Sequence, residues 1–176
     1  MKQFFTLSLV LFSLILWGQS FDKKITSDKL KLPDEEVAGY STSFDFSQEK
    51  IRLAWWKYAK KFALPKNMRT HYEITIPATE NARSVVIFTQ SLGESKPSTF
   101  KLGIKTNDMS KEEKQKYSKQ AKAMLLDFKR WYYLRHYEEQ LEKLEKSLPS
   151  SSSVNWDAWM EYVKKREEIL KKVRGV

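Results

Sequence analysis

The chain has 176 residues, no cysteine, and 32 lysines and arginines against 22 aspartates and glutamates, for a net charge of +10. Without cysteine it carries no thiol nucleophile, no Cys-ligated zinc or iron–sulfur site and no disulfide, so it must fold on a hydrophobic core alone. Aromatic residues at 14% favour a packed globule over a disordered polymer, and the charge implies attraction to anionic surfaces without implying any fold.

Met1 and Lys2 make a short positive n-region, and from Phe4 to Trp17 every residue is apolar or a small hydroxyl. Gly18 and Ser20 stand at the −3 and −1 positions that a signal peptidase reads. Residues 1–20 therefore read as a secretory signal peptide cut after Ser20. Spanning a bilayer takes about 20 apolar residues, which this stretch falls short of; an uncleaved anchor is the competing expectation. No cysteine follows the cut, so the chain is not a lipoprotein. Nothing later is apolar for long enough to span. Of the 32 basic residues only Lys2 lies in the leader, which leaves 31 against 22 acidic, or +9. The expectation is an exported protein, periplasmic or secreted, and the lysine-rich, cysteine-free composition suggests a bacterium.

Residues 21–36 read as a polar arm with scattered Ile25, Leu30 and Leu32, stopped by Pro33 and the acidic trio Asp34, Glu35 and Glu36. Residues 37–131 read as an α+β sheet domain that takes in the first half of a long helix. In it Tyr40, Thr42, Phe44 and Phe46 alternate, as do Tyr72, Ile74 and Ile76, and again Phe100, Leu102 and Ile104. Val85 to Phe88 are apolar on both faces, which predicts a central strand. Short loops at 77–82 and 93–98 predict an antiparallel meander of the last three strands. Between the first and second strands, Ile51, Trp55, Tyr58 and Phe62 recur at helical spacing behind an N-cap at Ser47, and Pro65 ends the run.

Ser110 and Glu113 form a capping box at the head of a helix over 110–148. Its apolar stripe slips between Trp131 and Leu134, so its second half should pair with a last helix over 154–174 through Leu141, Leu144, Trp159 and Val163. Residues 132–176 thus read as an antiparallel helical hairpin joined by Pro149 and Ser150 to Ser153. The expected fold is α+β: a β-α-β-β-β antiparallel sheet with helices on one face, then the hairpin. The hairpin's seven-residue spacing serves a second chain equally well.

No catalytic, cofactor or metal motif appears. The two histidines, His71 and His136, come without an HExxH sequence. No serine sits in a nucleophile elbow or a Ser-x-x-Lys motif, the isolated glycines build no phosphate-cradling loop, and no spacing singles out a carboxylate pair. What remains are two clusters in which aromatics interleave with cations: Trp55, Trp56, Lys57, Tyr58, Lys60 and Lys61, and the stretch from Lys129 to Tyr137. Trp55, Tyr58, Phe128 and Trp131 fall on packing stripes. The residues that packing leaves over, with the cations near them, are Trp56, Lys57, Lys60, Lys129, Arg130, Tyr132 and Tyr133, and these are the candidate partner-binding residues. A second candidate surface is the sheet face away from the helices, where Val86 and Phe88, or Val85 and Ile87, lie among Arg69, His71, Glu73, Lys101 and Lys105; the arm's Ile25, Leu30 and Leu32 are the alternative cover for it.

The expected function is that of a non-enzymatic binding protein of the cell envelope. Its partner would be an anionic lipid headgroup, a glycan or an envelope protein; nucleic acid is disfavoured outside the cytoplasm, and no cofactor is called for. The chain would act as monomer or homodimer. Two other classes are an assembly component that dimerises through its C-terminal helices and a hydrolase with an unrecognised carboxylate site. The stretch from Ala54-Trp55-Trp56-Lys57-Tyr58 through Tyr72-Glu73-Ile74-Thr75-Ile76-Pro77, followed by a helical hairpin, resembles small uncharacterised exported proteins of Bacteroidota. That resemblance implies export and brings no activity and no residue role.

Overall fold

The computed structural model describes residues 25–146 and 156–174, apart from Asn81 and Glu94. Residues 1–20, which the sequence reads as a signal peptide, the first residues of the arm and the expected connection over 149–153 lie outside the described residues. The fold is α+β. Among the described residues six strands, β1 (Thr26–Lys31), β2 (Glu36–Phe44), β3 (Lys66–Asn67), β4 (Tyr72–Ile76), β5 (Val85–Leu92) and β6 (Ser98–Ile104), join three helices, α1 (Gln48–Ala59), α2 (Lys111–Lys146) and α3 (Trp156–Arg174). The sheet runs β1-β2-β6-β5-β4-β3, and every neighbouring pair is antiparallel. The chain divides into two compact units, one ending at Phe128 and the other running from Lys129 onward.

In the sheet unit the expected meander β4-β5-β6 is present, and β2 pairs with β6. The sheet also holds two strands that were not expected. The arm is no loose segment: β1 pairs along its whole length with β2, with Leu30 opposite Val37. Its alternation is too sparse in apolar residues to mark a strand, and main-chain pairing supplies what the side chains do not announce. The two-residue β3 borders β4. Arg69, expected on the strand, sits instead in the turn before it with φ of 71°.

One sheet face carries the core. Trp55 of α1 lies 5.2 Å from the Phe100 ring, and Phe128 of α2 lies 5.1 Å from Phe100 and 5.6 Å from Phe44. Both helices therefore pack on the same side, as expected. Ile51, Ile74, Ile87, Leu102 and Leu125 fill in around these rings with no exposed surface to speak of. The Tyr40 hydroxyl meets that of Ser118 at 2.8 Å, a second tie between β2 and α2. The capping box is formed: Ser110 N–H donates to Glu113 Oε2 (2.9 Å) and Glu113 N–H to Ser110 Oγ (3.2 Å). Ser47 occupies the N-cap of α1, but its hydroxyl makes no capping bond. Phe62 is not part of the buried stripe, because α1 ends at Ala59; its ring stands edge-on to Tyr58 and is 41% exposed.

The other face is closed by the β1–β2 hairpin. Leu30, Val37 and Phe88 form a buried cluster, with Leu32 and Val86 packed against it. Here the strands come so close that no side chain fits at two positions: a Cβ on Gly39 would lie 2.2 Å from the Leu102 carbonyl oxygen, and one on Gly103 would lie 2.9 Å from Leu30 Cδ1. Two lysines of the β6 segment fasten the hairpin. Lys101 Nζ reaches Asp28 at 2.9 Å and donates to the Lys29 carbonyl at 3.1 Å, and its hydrogen bond holds the Asp28 carboxyl below the usual range. Lys105 pairs with Glu35 at 2.9 Å. The strip around Val86 and Phe88 is thus covered by the arm's leucines and is not an open binding surface.

In the helical unit α2 continues to Lys146, and Leu141, Leu144 and Val163 are half-buried while Trp159 stays exposed.

Candidate functional site

The surface that stands out lies on α1 and the segment after it. From Lys50 to Tyr72 the chain has seven cations, Lys50, Arg52, Lys57, Lys60, Lys61, Lys66 and Arg69, and no acidic residue. All seven are exposed. None of Lys50, Arg52, Lys57, Lys60, Lys66 and Arg69 enters an ion pair among the described residues. Apolar side chains are exposed in the same stretch: Leu53 at 53% and Leu64 at 79%, with Phe62 and Met68. An exposed leucine alone means little, but several beside an unbroken run of cations are unusual for a surface that meets only water.

The local structure explains the display. Ile51, Ala54, Trp55, Tyr58 and Ala59 turn the buried stripe of α1 to the sheet, which leaves Leu53, Trp56, Lys57 and Lys60 on the outward side. Lys60 Nζ lies 3.8 Å over the Trp56 ring, a cation–π contact that keeps the indole half-covered. After Ala59 the chain turns through Lys61.., with the Phe62 and Ala63 N–H groups both donating to the Ala59 carbonyl, and buried Pro65 pins its return toward β3. Leu64 is carried outward on that turn. Tyr58 anchors the helix from below by donating to Asp127 of α2 at 2.5 Å; burial first, then this carboxylate, push its phenol well above the ordinary range.

The candidate residues separate accordingly. Trp56, Lys57 and Lys60 share the outward side of α1 in the sheet unit. Lys129, Arg130, Tyr132 and Tyr133 belong to the helical unit. Arg130 is exposed there, and Tyr132 is half-buried, its phenol pushed up to about 12 by burial and then by the Glu139 carboxylate. Lys129 is only 2% exposed and Tyr133 is buried beside it. These two lie one turn apart, so the helix buries that side, and the expectation that both project into solvent is corrected. The Tyr132 ring stacks parallel to that of His136, and the His136 ring nitrogen meets Gln140 at 2.8 Å. Along α3 Trp156, Trp159 and Met160 are exposed at steps of three and one.

Sequence reasoning singled out the α1 cluster but missed its extension through Leu64, Lys66 and Met68. The signal was there to find, since no acidic residue interrupts the stretch before Glu73. Among the described residues no three His, Asp or Glu side chains come together to hold a metal ion. No described helix is long and apolar enough to cross a membrane. No protein-family model, curated protein or solved structure matches this chain.

Proposed function

We propose that the protein is an exported, non-enzymatic binding protein of the cell envelope, and that the outward side of α1 with the following turn engages an anionic lipid surface. The observation that carries this reading is the acid-free run of seven exposed cations from Lys50 to Tyr72, interleaved with exposed Leu53, Phe62, Leu64 and Met68. Lysines supply attraction to headgroup phosphates, and leucine, phenylalanine and tryptophan supply apolar area for the headgroup–acyl boundary. Acidic glycan would use the cations and Trp56 but gives no role to an exposed Leu64.

The test is sedimentation with vesicles containing phosphatidylglycerol at low and high salt. Each lysine near such a surface contributes about 1 kcal/mol, so Lys57, Lys60 and Lys66→Ala together should weaken binding about 100-fold, at 1.4 kcal/mol per tenfold. Wild-type binding should fall as salt rises. The melting temperature should hardly move, because exposed charges add little to stability. Absence of binding at low salt, or undiminished binding by the triple variant, would overturn the proposal.

A further inference from the structure

A second feature lies where the first turns of α1 meet the far strands of the sheet. A small cleft there has a floor of Tyr72, Thr89, Ser91 and Phe100, all on the helix-bearing face of the sheet; β4–β5 pairing sets Tyr72 opposite Thr89, and β5–β6 pairing sets Ser91 opposite Phe100. One wall is Gln48 and Arg52 of α1, one turn apart. The other is the turn from Asn67 to His71. The cavity holds about 30 Å³, room for two waters or one compact polar group.

Three observations point to what fills it. Thr89 is 1% exposed, and its Oγ1 finds no hydrogen-bond partner among the described residues; a buried hydroxyl left unsatisfied costs about 1–3 kcal/mol, so a group that accepts from it is favoured. Arg52 and Arg69 stand on opposite walls, neither has an ion-pair partner among the described residues, and no acidic residue lines the cleft. The walls are braced. Gln48 Nε2 donates to the Ser91 carbonyl at 2.6 Å, and Ser91 Oγ donates back to the Gln48 carbonyl at 3.3 Å. Arg69 holds a left-handed backbone, its N–H donating to Asn67 Oδ1 at 3.0 Å. A non-glycine residue in that region is held at a cost, and such strain gathers at ligand clamps.

We propose that this cleft binds a phosphate-type oxyanion, with Arg52 and Arg69 closing on it from two sides and the Thr89 hydroxyl donating from the floor. Two guanidiniums offer forked donors suited to an anion with several oxygens, and the single apolar floor residue, Phe100, leaves the rest of the lining polar. Two sources share this chemistry: free phosphate or a soluble ester, and the phosphate of a lipid headgroup. The site shares Arg52 and Arg69 with the cation run of the lipid-surface reading, but it rests on the cleft and on Thr89, which that reading does not use, so either can fail alone.

The experiment is a titration of the isotope-labelled chain with inorganic phosphate at constant ionic strength, followed by amide shifts, with chloride as the control. Saturating shifts should appear at Arg69, Tyr72 and Thr89, and Arg52→Gln or Arg69→Gln should each raise Kd about tenfold or more. Thr89→Val removes the hydroxyl at nearly constant shape and charge. It should keep or raise the melting temperature and still weaken phosphate binding several-fold. Shifts that fail to saturate, that chloride reproduces, or that Thr89→Val and both arginine variants leave unaltered would overturn the site. The source is read from vesicles carrying phosphatidic acid. If Thr89→Val weakens vesicle binding, the headgroup phosphate occupies the cleft; if vesicle binding is unchanged while phosphate binding falls, the ligand is soluble and the lipid-binding side of α1 is a separate surface.

Discussion

Phe128→Ala is the sharpest probe of how the sheet unit is held together. The ring is fully buried and lies 5.6 Å from Phe44, 5.0 Å from Trp55, 5.4 Å from Tyr58 and 5.1 Å from Phe100. Truncating a buried phenylalanine costs about 3–5 kcal/mol in lost burial and cavity. Aromatic pairs add about 0.5–1.5 kcal/mol each beyond area, but these four share one ring and do not sum. The neighbours are large and mutually braced, so the void collapses poorly, and a loss of about 4 kcal/mol is expected from the middle of the range. For a chain of this size that is a fall in melting temperature of roughly 8–16 °C. The assay is urea unfolding of the sheet unit followed by near-ultraviolet circular dichroism, which reports Trp55 and its ring neighbours. Phe128→Leu should recover more than half of the loss. A destabilisation below about 1.5 kcal/mol, well under the range for a filled core site, would refute the claim that Phe128 is the shared contact between α1, α2 and the sheet.

Two further outcomes test the same unit. Gly39→Ala places a Cβ 2.2 Å from the Leu102 carbonyl oxygen, so β2 and β6 must part. A loss of about 1–3 kcal/mol, the usual cost of overpacking, should appear in equilibrium unfolding, and a neutral substitution would mean that the hairpin does not close so tightly over the sheet. The Tyr58 phenol is raised in the fold by burial and by Asp127. A raised folded value means stability that is complete below the free phenol's value of about 10 and is lost as pH climbs above it. Thermal scans between pH 9 and 11.5 should therefore show a steeper alkaline decline for the native chain than for Tyr58→Phe; parallel curves would remove Tyr58 as a contributor.

The α+β class, the strands over 72–76 and 98–104, the capping box at Ser110 and the basic–aromatic side of α1 were all legible in the sequence. Each depends on residues close together in the chain: alternation at period two, a serine three residues from a glutamate, a helix stripe whose complement is the outward side. The β1 strand was not legible, because Leu30 and Leu32 amid polar neighbours resemble a loop until β2 supplies their hydrogen-bonding partners. The cover over Val86 and Phe88 by the arm's leucines was one of two alternatives that the sequence left open, and Leu30 crossing above Gly103 decides between them. The burial of Lys129 and Tyr133 was missed because helical spacing says which residues share a side, while only packing says which side is buried. The cleft is the extreme case. Gln48 and Arg52, the Asn67–Thr70 turn, Thr89 and Phe100 come from four separate stretches, and nothing in the chain marks Thr89 as a donor without an acceptor. Short-range periodicity and caps are set by local backbone geometry, so the sequence by itself determined the elements and the charge they display. Register, curvature and the satisfaction of buried polar groups arise from contacts between distant residues, and those only the tertiary structure decided.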